Sequence, residues 1–114
     1  MTEHQALSAF AALSQETRLR ILRHLVVAGP EGLAAGVIAE RVEVSASNVS
    51  FHLKELERAG LLSARRDGRS IIYCVDHGGI SGLVRFLLED CCSGHPEICL
   101  PVAEIAACRA APGA

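Results

Sequence analysis

Three cysteines near the C-terminus are the residues whose types and spacing best suit metal or redox chemistry. Cys91 and Cys92 are adjacent and Cys99 follows shortly afterwards, in the segment EDCCSGHPEICLP. Adjacent side chains on a regular helix diverge by about 100°, so Cys91 and Cys92 can share an ion only where the helix has ended. Gly94 and Pro96 end it, and a short loop then allows Cys99 to return toward the pair. We therefore predict that these three thiolates form one site.

Three chemical roles fit this cluster, and the residues alone leave them open. Three thiolates without an obligatory fourth ligand suit a soft trivalent metalloid, As(III) or Sb(III), which binds three sulfurs in a pyramid. His95 offers a fourth ligand, which would complete a closed Cys₃His zinc site. Reduced thiols can also act as an oxidation sensor. The remaining reading, in which Cys91 is a core residue and the others are incidental, is disfavoured because three cysteines share one nine-residue segment.

A second stretch, from Val44 to Leu62, carries side chains suited to recognising a nucleic acid. It reads as an amphipathic helix capped by Ser45 and ended at Gly60. The packing stripe consists of Val49, Leu53, Leu56 and Gly60. The opposite face carries hydroxyls, an aromatic ring and cations, at Ser47, Ser50, Phe51, Lys54 and Arg58. Such a face suits base edges and phosphates together, although a solvated surface helix is the competing interpretation.

The sequence that follows, LLSARRDGRSIIYCV, predicts a basic β-hairpin. Two β-type runs flank Asp67-Gly68, a dipeptide that favours tight hairpin turns, and Arg65, Arg66 and Arg69 surround it. A base-reading helix that is preceded by another helix and followed by a basic hairpin is a winged helix-turn-helix, with the helix in the major groove and the wing against phosphate. The predicted fold class is therefore mainly α with a small β-hairpin wing and a helical dimer interface.

The predicted DNA contacts fall into two groups. Base-edge contacts are assigned to Ser47, Asn48, Ser50 and Phe51, and phosphate contacts to Lys54, Arg66 and Arg69. His52 lies one step toward the packed side, so we predict that it is a hydrogen bonder at the buried edge rather than a DNA contact.

Other elements must position this unit. The sequence predicts helices from Glu3 to Ala12, from the cap Ser14 to Gly29-Pro30, within Gly32–Val42 after an extended entry, and from Gly78 to Asp90 with Asp76 as N-cap. The second helix is predicted to be buried on two sides through Leu19, Ile21, Leu22, Leu25 and Val26, and the third to face inward with Val37, Ile38 and Val42. The charged residues of the second helix, Arg18, Arg20, Arg23 and His24, are interpreted as solvated or snorkelling side chains rather than as a DNA-binding face.

The last helix predicts association between two copies. Its apolar face consists of Ile80, Leu83, Val84 and Leu87, and one chain has little left to cover it. With Leu7 and Phe10 of the first helix this makes an exposed patch, which predicts a two-fold homodimer. A symmetric pair of recognition helices also matches a palindromic operator.

Composition sets the remaining limits. The 114 residues, half of them apolar, fit one small domain, which we place at residues 1–92 with a cysteine-containing tail at 93–114. The formal net charge is −2, so the cations must act locally: five of eleven lie between Lys54 and Arg69. MTEHQALSAF lacks a charged leader and no segment approaches membrane length, so we expect a cytoplasmic protein without membrane association. Reduced thiols rather than disulfides are expected there.

Three motifs in this order resemble the ArsR/SmtB family of metal-sensing transcriptional repressors. They are LSQETRLRILRHL at 13–25, SASNVSFHLKELERAGLL at 45–62 and RRDGRSIIY at 65–73. The resemblance implies a homodimeric repressor that binds double-stranded operator DNA. Many relatives carry paired cysteines in the first helix of the helix-turn-helix, where this chain has Ala34 to Val37. Others carry a zinc site along the last helix, where Asp76 and His77 are followed by no histidine.

We therefore predict a repressor that holds its operator when apo and releases it when Cys91, Cys92 and Cys99 bind As(III) or Sb(III). Metalloid ranks first because the family includes arsenite sensors with a C-terminal cysteine cluster. The alternatives are a thiol-redox-responsive repressor, a Zn(II) or Cd(II) sensor and, more weakly, a protein-interaction module. No catalytic set or phosphate loop is visible, so the chain is predicted not to be an enzyme. Cys74 is interpreted as a small core residue, and Cys108 is unassigned.

Overall fold

The computed structural model describes residues 1–88, and the order of elements in this part confirms the predicted mainly α fold with a β-hairpin wing. The helices are α1 Glu3–Leu13, α2 Glu16–Ala28, α3 Ala35–Val42, α4 Ala46–Arg58 and α5 His77–Leu88, and the strands are β1 Leu33–Ala34, β2 Leu62–Asp67 and β3 Ser70–Val75. A 3₁₀ turn, Gly29–Glu31, joins α2 to β1. Residues Met1–Leu83 form one compact unit, and Val84–Leu88 are the described start of a second. None of the described helices has the length and hydropathy needed to cross a bilayer.

The helix starts follow from polar side chains that satisfy free main-chain N–H groups. The Thr2 hydroxyl accepts from the N–H of Gln5 at 3.1 Å, and the Gln5 side chain accepts in return from the N–H of Thr2. The predicted cap of α2 at Ser14 is wrong: Gln15 caps this helix, with its side-chain oxygen 2.8 Å from the Arg18 N–H. Ser14 instead closes α1, because α1 extends to Leu13 and leaves Ser14 as its C-cap.

The core of the first unit is aliphatic. Its fully buried large side chains are Ile21, Leu25, Ile38, Val49, Leu53, Leu56 and Leu61. The prediction that α2 is buried on two sides is wrong, because Leu19 and Val26 are 47% and 43% exposed. The inward placement of Val37 is also wrong, since it is 37% exposed. Both helices pack on a single stripe, and apolar residues beside that stripe remain at the surface.

The hairpin belongs to a three-stranded antiparallel sheet of order β1-β3-β2, whose third strand the sequence indicated only as an extended entry. β2 and β3 pair from Leu62 with Val75 to Asp67 with Ser70, and Gly68 in the turn has a φ of +64°. β1 pairs with the outer edge of β3. Gly32, at φ +69°, permits this approach, because a Cβ there would collide with the main-chain carbonyl of Tyr73.

The N-cap of α5 is the predicted residue, but Leu83 in this helix is more buried than predicted. The Asp76 carboxylate accepts from the N–H of Gly79 at 3.0 Å, which confirms Asp76 as the N-cap. Leu83 was assigned to the exposed dimer patch, but it is buried, at 6% exposure. In the second unit, Val84 and Leu87 are 42% and 56% exposed. The predicted domain boundary at residue 92 lies outside the described residues.

Candidate nucleic-acid interface

The turn between α3 and α4 sets the direction of the candidate recognition helix. Glu43 adopts the left-handed conformation at φ 57°, which ends α3 and turns the chain within two residues. Ser45 then caps α4 as predicted, with its hydroxyl 3.3 Å from the Asn48 N–H. Gly60, at φ +83°, follows the C-cap at Ala59. The geometry is that of a helix-turn-helix with α4 as its second helix.

The rotation of α4 matches the predicted division into two faces. Val49, Leu53 and Leu56 have no exposed surface. The predicted DNA-facing residues of this helix are all exposed: Ser47, Asn48, Ser50, Phe51 and Lys54. Phe51 is 55% exposed, so its aromatic ring is available for contact with a partner.

One side chain from outside this helix contacts the outer face, and sequence reasoning missed it. Arg18 of α2 donates from Nε to Nδ1 of His52 at 3.0 Å, and its Cζ lies 5.6 Å from the centroid of the Phe51 ring. The Phe51 and His52 rings meet edge to face, with centroids 5.8 Å apart. Arg18 is half-buried, as the snorkelling interpretation allows, but its contact with the recognition helix was not predicted. No local spacing reveals this contact, because His52 lies 34 residues further along the chain.

His52 behaves as predicted, as a hydrogen bonder at the edge of the packed face. Burial lowers its pKa, and the neighbouring Arg18 charge lowers it further. Since Nδ1 accepts the hydrogen bond from Arg18, the neutral ring carries its proton on Nε2.

Two of the three arginines that surround the hairpin turn, Arg66 and Arg69, are candidates for phosphate contact. Arg65 donates to the main-chain carbonyls of Pro30 at 3.3 Å and Glu31 at 2.8 Å, so its guanidinium is held against the body of the protein. Arg65 is exposed like the other two arginines, but its guanidinium is engaged with these carbonyls. Arg66 and Arg69 are exposed, as the phosphate assignment requires.

The predicted metal ligands Cys91, Cys92 and Cys99 lie outside the described residues. Within residues 1–88, no three potential metal-ligating side chains come together. Cys74 was predicted to be a core residue, but it is half-buried, with its sulfur 3.4 Å from the Ser63 hydroxyl oxygen. Its side chain lies on the face of β3 that is shared with polar residues of β2, which explains the partial exposure.

Comparison with known proteins places this geometry in a class. A family model described as a helix-turn-helix domain matches residues 13–63. The transcriptional regulator YgaV of Escherichia coli is 30% identical over 77% of this chain and 87% of its own length. A Halobacterium salinarum protein named for the arsenical resistance operon repressor ArsR is 41% identical over 52% of this chain, which spans 45% of that protein.

Two solved structures share the fold. An ArsR-like transcriptional regulator from Rhodococcus sp. RHA1 superposes with a TM-score of 0.67 and 31% identity, covering 90% of this chain and 93% of its own. The homodimeric winged helix-turn-helix domain of Mb0332 from Mycobacterium bovis gives a TM-score of 0.62 and 25% identity, covering 81% and 82%.

The helix-turn-helix, the basic wing and these likenesses define a DNA-binding transcriptional regulator of the winged helix-turn-helix class, and not an enzyme. Within that class, the chain belongs to the ArsR/SmtB family. Two relatives carry names that refer to a metal or metalloid: the Halobacterium protein is named for arsenical resistance, and a CadC homolog of Staphylococcus aureus, 32% identical over 66% of this chain and 60% of its own length, is named for cadmium resistance.

The lowered pKa of His52 makes the stability of the fold dependent on pH. The unfolded chain titrates this ring near its usual value of 6.5, whereas the folded chain protonates it only at lower pH. As the pH falls from about 6.5 through the lowered pKa, the unfolded state gains a proton that the folded state resists, so the free energy of unfolding decreases. His52→Gln keeps an acceptor for Arg18 and does not titrate. We expect urea unfolding between pH 5 and 8 to show a shallower loss in this variant, with similar stability to the unaltered protein at pH 7.5. Identical pH profiles would contradict the assignment.

Proposed function

We propose that the protein is a homodimeric repressor that holds a palindromic operator through α4 and the wing and releases it when its C-terminal thiolates bind a trivalent metalloid. The observation that carries the DNA-binding part is the exposed outer face of α4 together with a wing whose Arg66 and Arg69 are exposed and unpaired within residues 1–88. Lys54, Arg66 and Arg69 form no ion pair with any carboxylate of residues 1–88. Arg58, by contrast, pairs with Glu55 at 3.4 Å. The free cations are available to phosphates even though the net charge is −2.

The two kinds of predicted contact differ in their dependence on sequence and salt. Phosphate contacts by Lys54 and Arg69 supply affinity for every duplex, so Lys54→Ala or Arg69→Ala is expected to weaken binding to all sequences. Each should also reduce the slope of log affinity against log salt by about one unit. Phe51→Ala should instead cost roughly 1–3 kcal/mol, mainly on the operator, through a lost contact such as one with a thymine methyl. Fluorescence anisotropy measures the salt slope and the loss of affinity, with an operator selected from a random duplex pool and a random duplex for comparison.

The matched control for these variants is Arg20→Ala, which removes a charge that lies on α2 and pairs with Glu16. It should change neither the salt slope nor the affinity ratio. Equal losses on operator and random duplex for Phe51→Ala would contradict the base contact.

The dimer is supported by apolar side chains that one chain leaves in water. Leu7 of α1 is 60% exposed and Phe10 39%. At the end of α5, Leu87 is 56% exposed. Homodimeric Mb0332 shares the fold. A second copy that covers α1 and the end of α5 would bury these residues and present two recognition helices to the two halves of a palindrome.

An unpaired charge in that interface should separate the subunits. Leu7→Glu or Leu87→Glu would bury a carboxylate without a partner, so sedimentation is expected to show monomer, with operator binding strongly reduced. Val27→Glu is the matched control, because Val27 is 85% exposed and lies on α2, outside the proposed interface. A dimer that persists in both α1 and α5 variants would place the interface elsewhere.

The metalloid is proposed from ligand chemistry together with family membership. Three cysteines supply the three sulfurs that As(III) or Sb(III) takes, and a Cys₃His set would be needed for a closed zinc site. Adjacent cysteines on a helix cannot face one ion without local unwinding, so loading would reshape the chain after α5. A change of that kind near a dimer contact alters the spacing of the recognition helices. A coupling of about 1–3 kcal/mol is enough to lower DNA affinity by roughly 5–150-fold.

The test is release of a preformed operator complex. Cys91→Ser, Cys92→Ser and Cys99→Ser should each bind operator and fail to release it with As(III), while Cys74→Ser and Cys108→Ser should respond normally. Arsenic K-edge absorption on the loaded protein under reducing conditions should show three sulfur neighbours. Two sulfurs with an oxygen or carbon would exclude the full triad. Release by peroxide alone would favour the redox-responsive repressor, and release by Zn(II) or Cd(II) alone would favour the divalent sensor.

A further inference from the structure

Arg18 joins α2 to the outer face of the recognition helix through two different atoms of one guanidinium. Its Nε donates to His52 Nδ1 at 3.0 Å, while its Cζ lies over the Phe51 ring, 5.6 Å from the ring centroid. The ring that receives the hydrogen bond also contacts the ring beneath the cation, edge to face at an interplanar angle of 61°. The three side chains therefore form a closed set, defined here as the Arg18 cluster, in which each member contacts the other two.

The cluster is anchored on its α2 side. The main-chain N–H of Arg18 is held by the Gln15 cap, and Ile21 and Leu22 in the following turn are buried. No carboxylate of residues 1–88 pairs with Arg18. Arg18 and Glu55 line one surface groove, but Glu55 pairs with Arg58. The guanidinium of Arg18 therefore contacts the two aromatic rings, and no carboxylate of residues 1–88 neutralises its charge.

From this arrangement we infer that Arg18 is a positioning residue for operator recognition, which holds the Phe51 ring in the one orientation that meets a base edge. The inference rests on the proposed function, because it assumes that Phe51 contacts DNA. A half-exposed aromatic side chain on the outside of a helix would otherwise sample several rotamers, and binding would have to select one of them. Contact with the fixed Arg18 guanidinium selects one Phe51 rotamer before DNA binds. The contribution of Arg18 to DNA affinity should therefore appear on the operator and not on random duplex.

Arginine suits this role and lysine does not. The guanidinium is planar, so it can stack on a ring while its Nε points sideways to a second acceptor. A lysine ammonium is a point charge at the end of a flexible four-carbon chain and cannot make both contacts with this geometry. Arg18→Lys therefore keeps the charge and removes the positioning, which separates the two effects.

The free protein tests the arrangement without DNA. Nitrogen NMR of the imidazoles should show His52 with its proton on Nε2 and an accepting Nδ1 in the unaltered protein and in the Arg20→Lys control. In Arg18→Lys, His52 should become a mixture of tautomers. A His52 spectrum that does not depend on Arg18 overturns the inference and leaves the proposed function standing.

A double-mutant cycle tests the consequence. Arg18→Lys should weaken binding to the selected operator by about 3- to 10-fold, the size expected for one cation–π contact or one hydrogen bond, and binding to random duplex by less than about twofold. In a Phe51→Ala background the same change should cost less than about twofold, because the ring that Arg18 positions is gone. Arg20→Lys should leave unchanged the affinity for the operator, the affinity for random duplex and the operator affinity in the Phe51→Ala background.

Two results of the cycle would overturn the inference. An equal loss on operator and random duplex would mean that Arg18 acts as a general cation. An undiminished loss in the Phe51→Ala background would mean that it acts without the ring. If the unaltered protein selects no operator from the pool, the proposed function fails together with the DNA role of Arg18, while the NMR result still reports whether the Arg18 cluster exists.

Discussion

The complete burial of one stripe of α4 is the constraint on which the rest of the structure depends. Val49, Leu53 and Leu56 have no exposed surface, and each buried leucine contributes about 1.5–3 kcal/mol relative to an exposed one. A rotation of the helix that exposed this stripe would lose most of that free energy. The outer face, with Ser47 and Phe51, is therefore fixed in direction by the packing of the inner face, and a rigid scaffold presents it to a partner.

Arginines serve two separate purposes in this chain, and the distinction explains how a protein of net charge −2 can offer a basic surface. Arg65 donates to two main-chain carbonyls of the 3₁₀ turn, so it ties the wing to the body and contributes little to the tip. Arg18 is used in the same way between α2 and α4. Lys54, Arg66 and Arg69 remain exposed and free of ion pairs within the described residues. Arg18 and Arg65 make hydrogen bonds within the protein, whereas Lys54, Arg66 and Arg69 face the solvent.

The wing is held at its base as well as by Arg65. β1 is only two residues long, yet it pairs with the edge of β3 and continues directly into α3. The close approach at Gly32, where a side chain would collide with the carbonyl of Tyr73, brings the two segments together. The position of the wing relative to the helix-turn-helix is thus set by main-chain pairing, which does not depend on the side chains at its tip.

The sequence by itself determined the elements whose signals are local. The Ser45 cap, the Asp67-Gly68 turn and the 3.6-residue repeat of α4 depend on neighbours within one turn or one hairpin, so their positions were predicted correctly. Tertiary structure decided the rest. Which side of α2 is buried, and therefore the exposure of Leu19, depends on where the other helices pack. The role of Arg18 depends on a ring 34 residues away, and no periodicity along a chain encodes a contact between two helices that meet only in the folded protein.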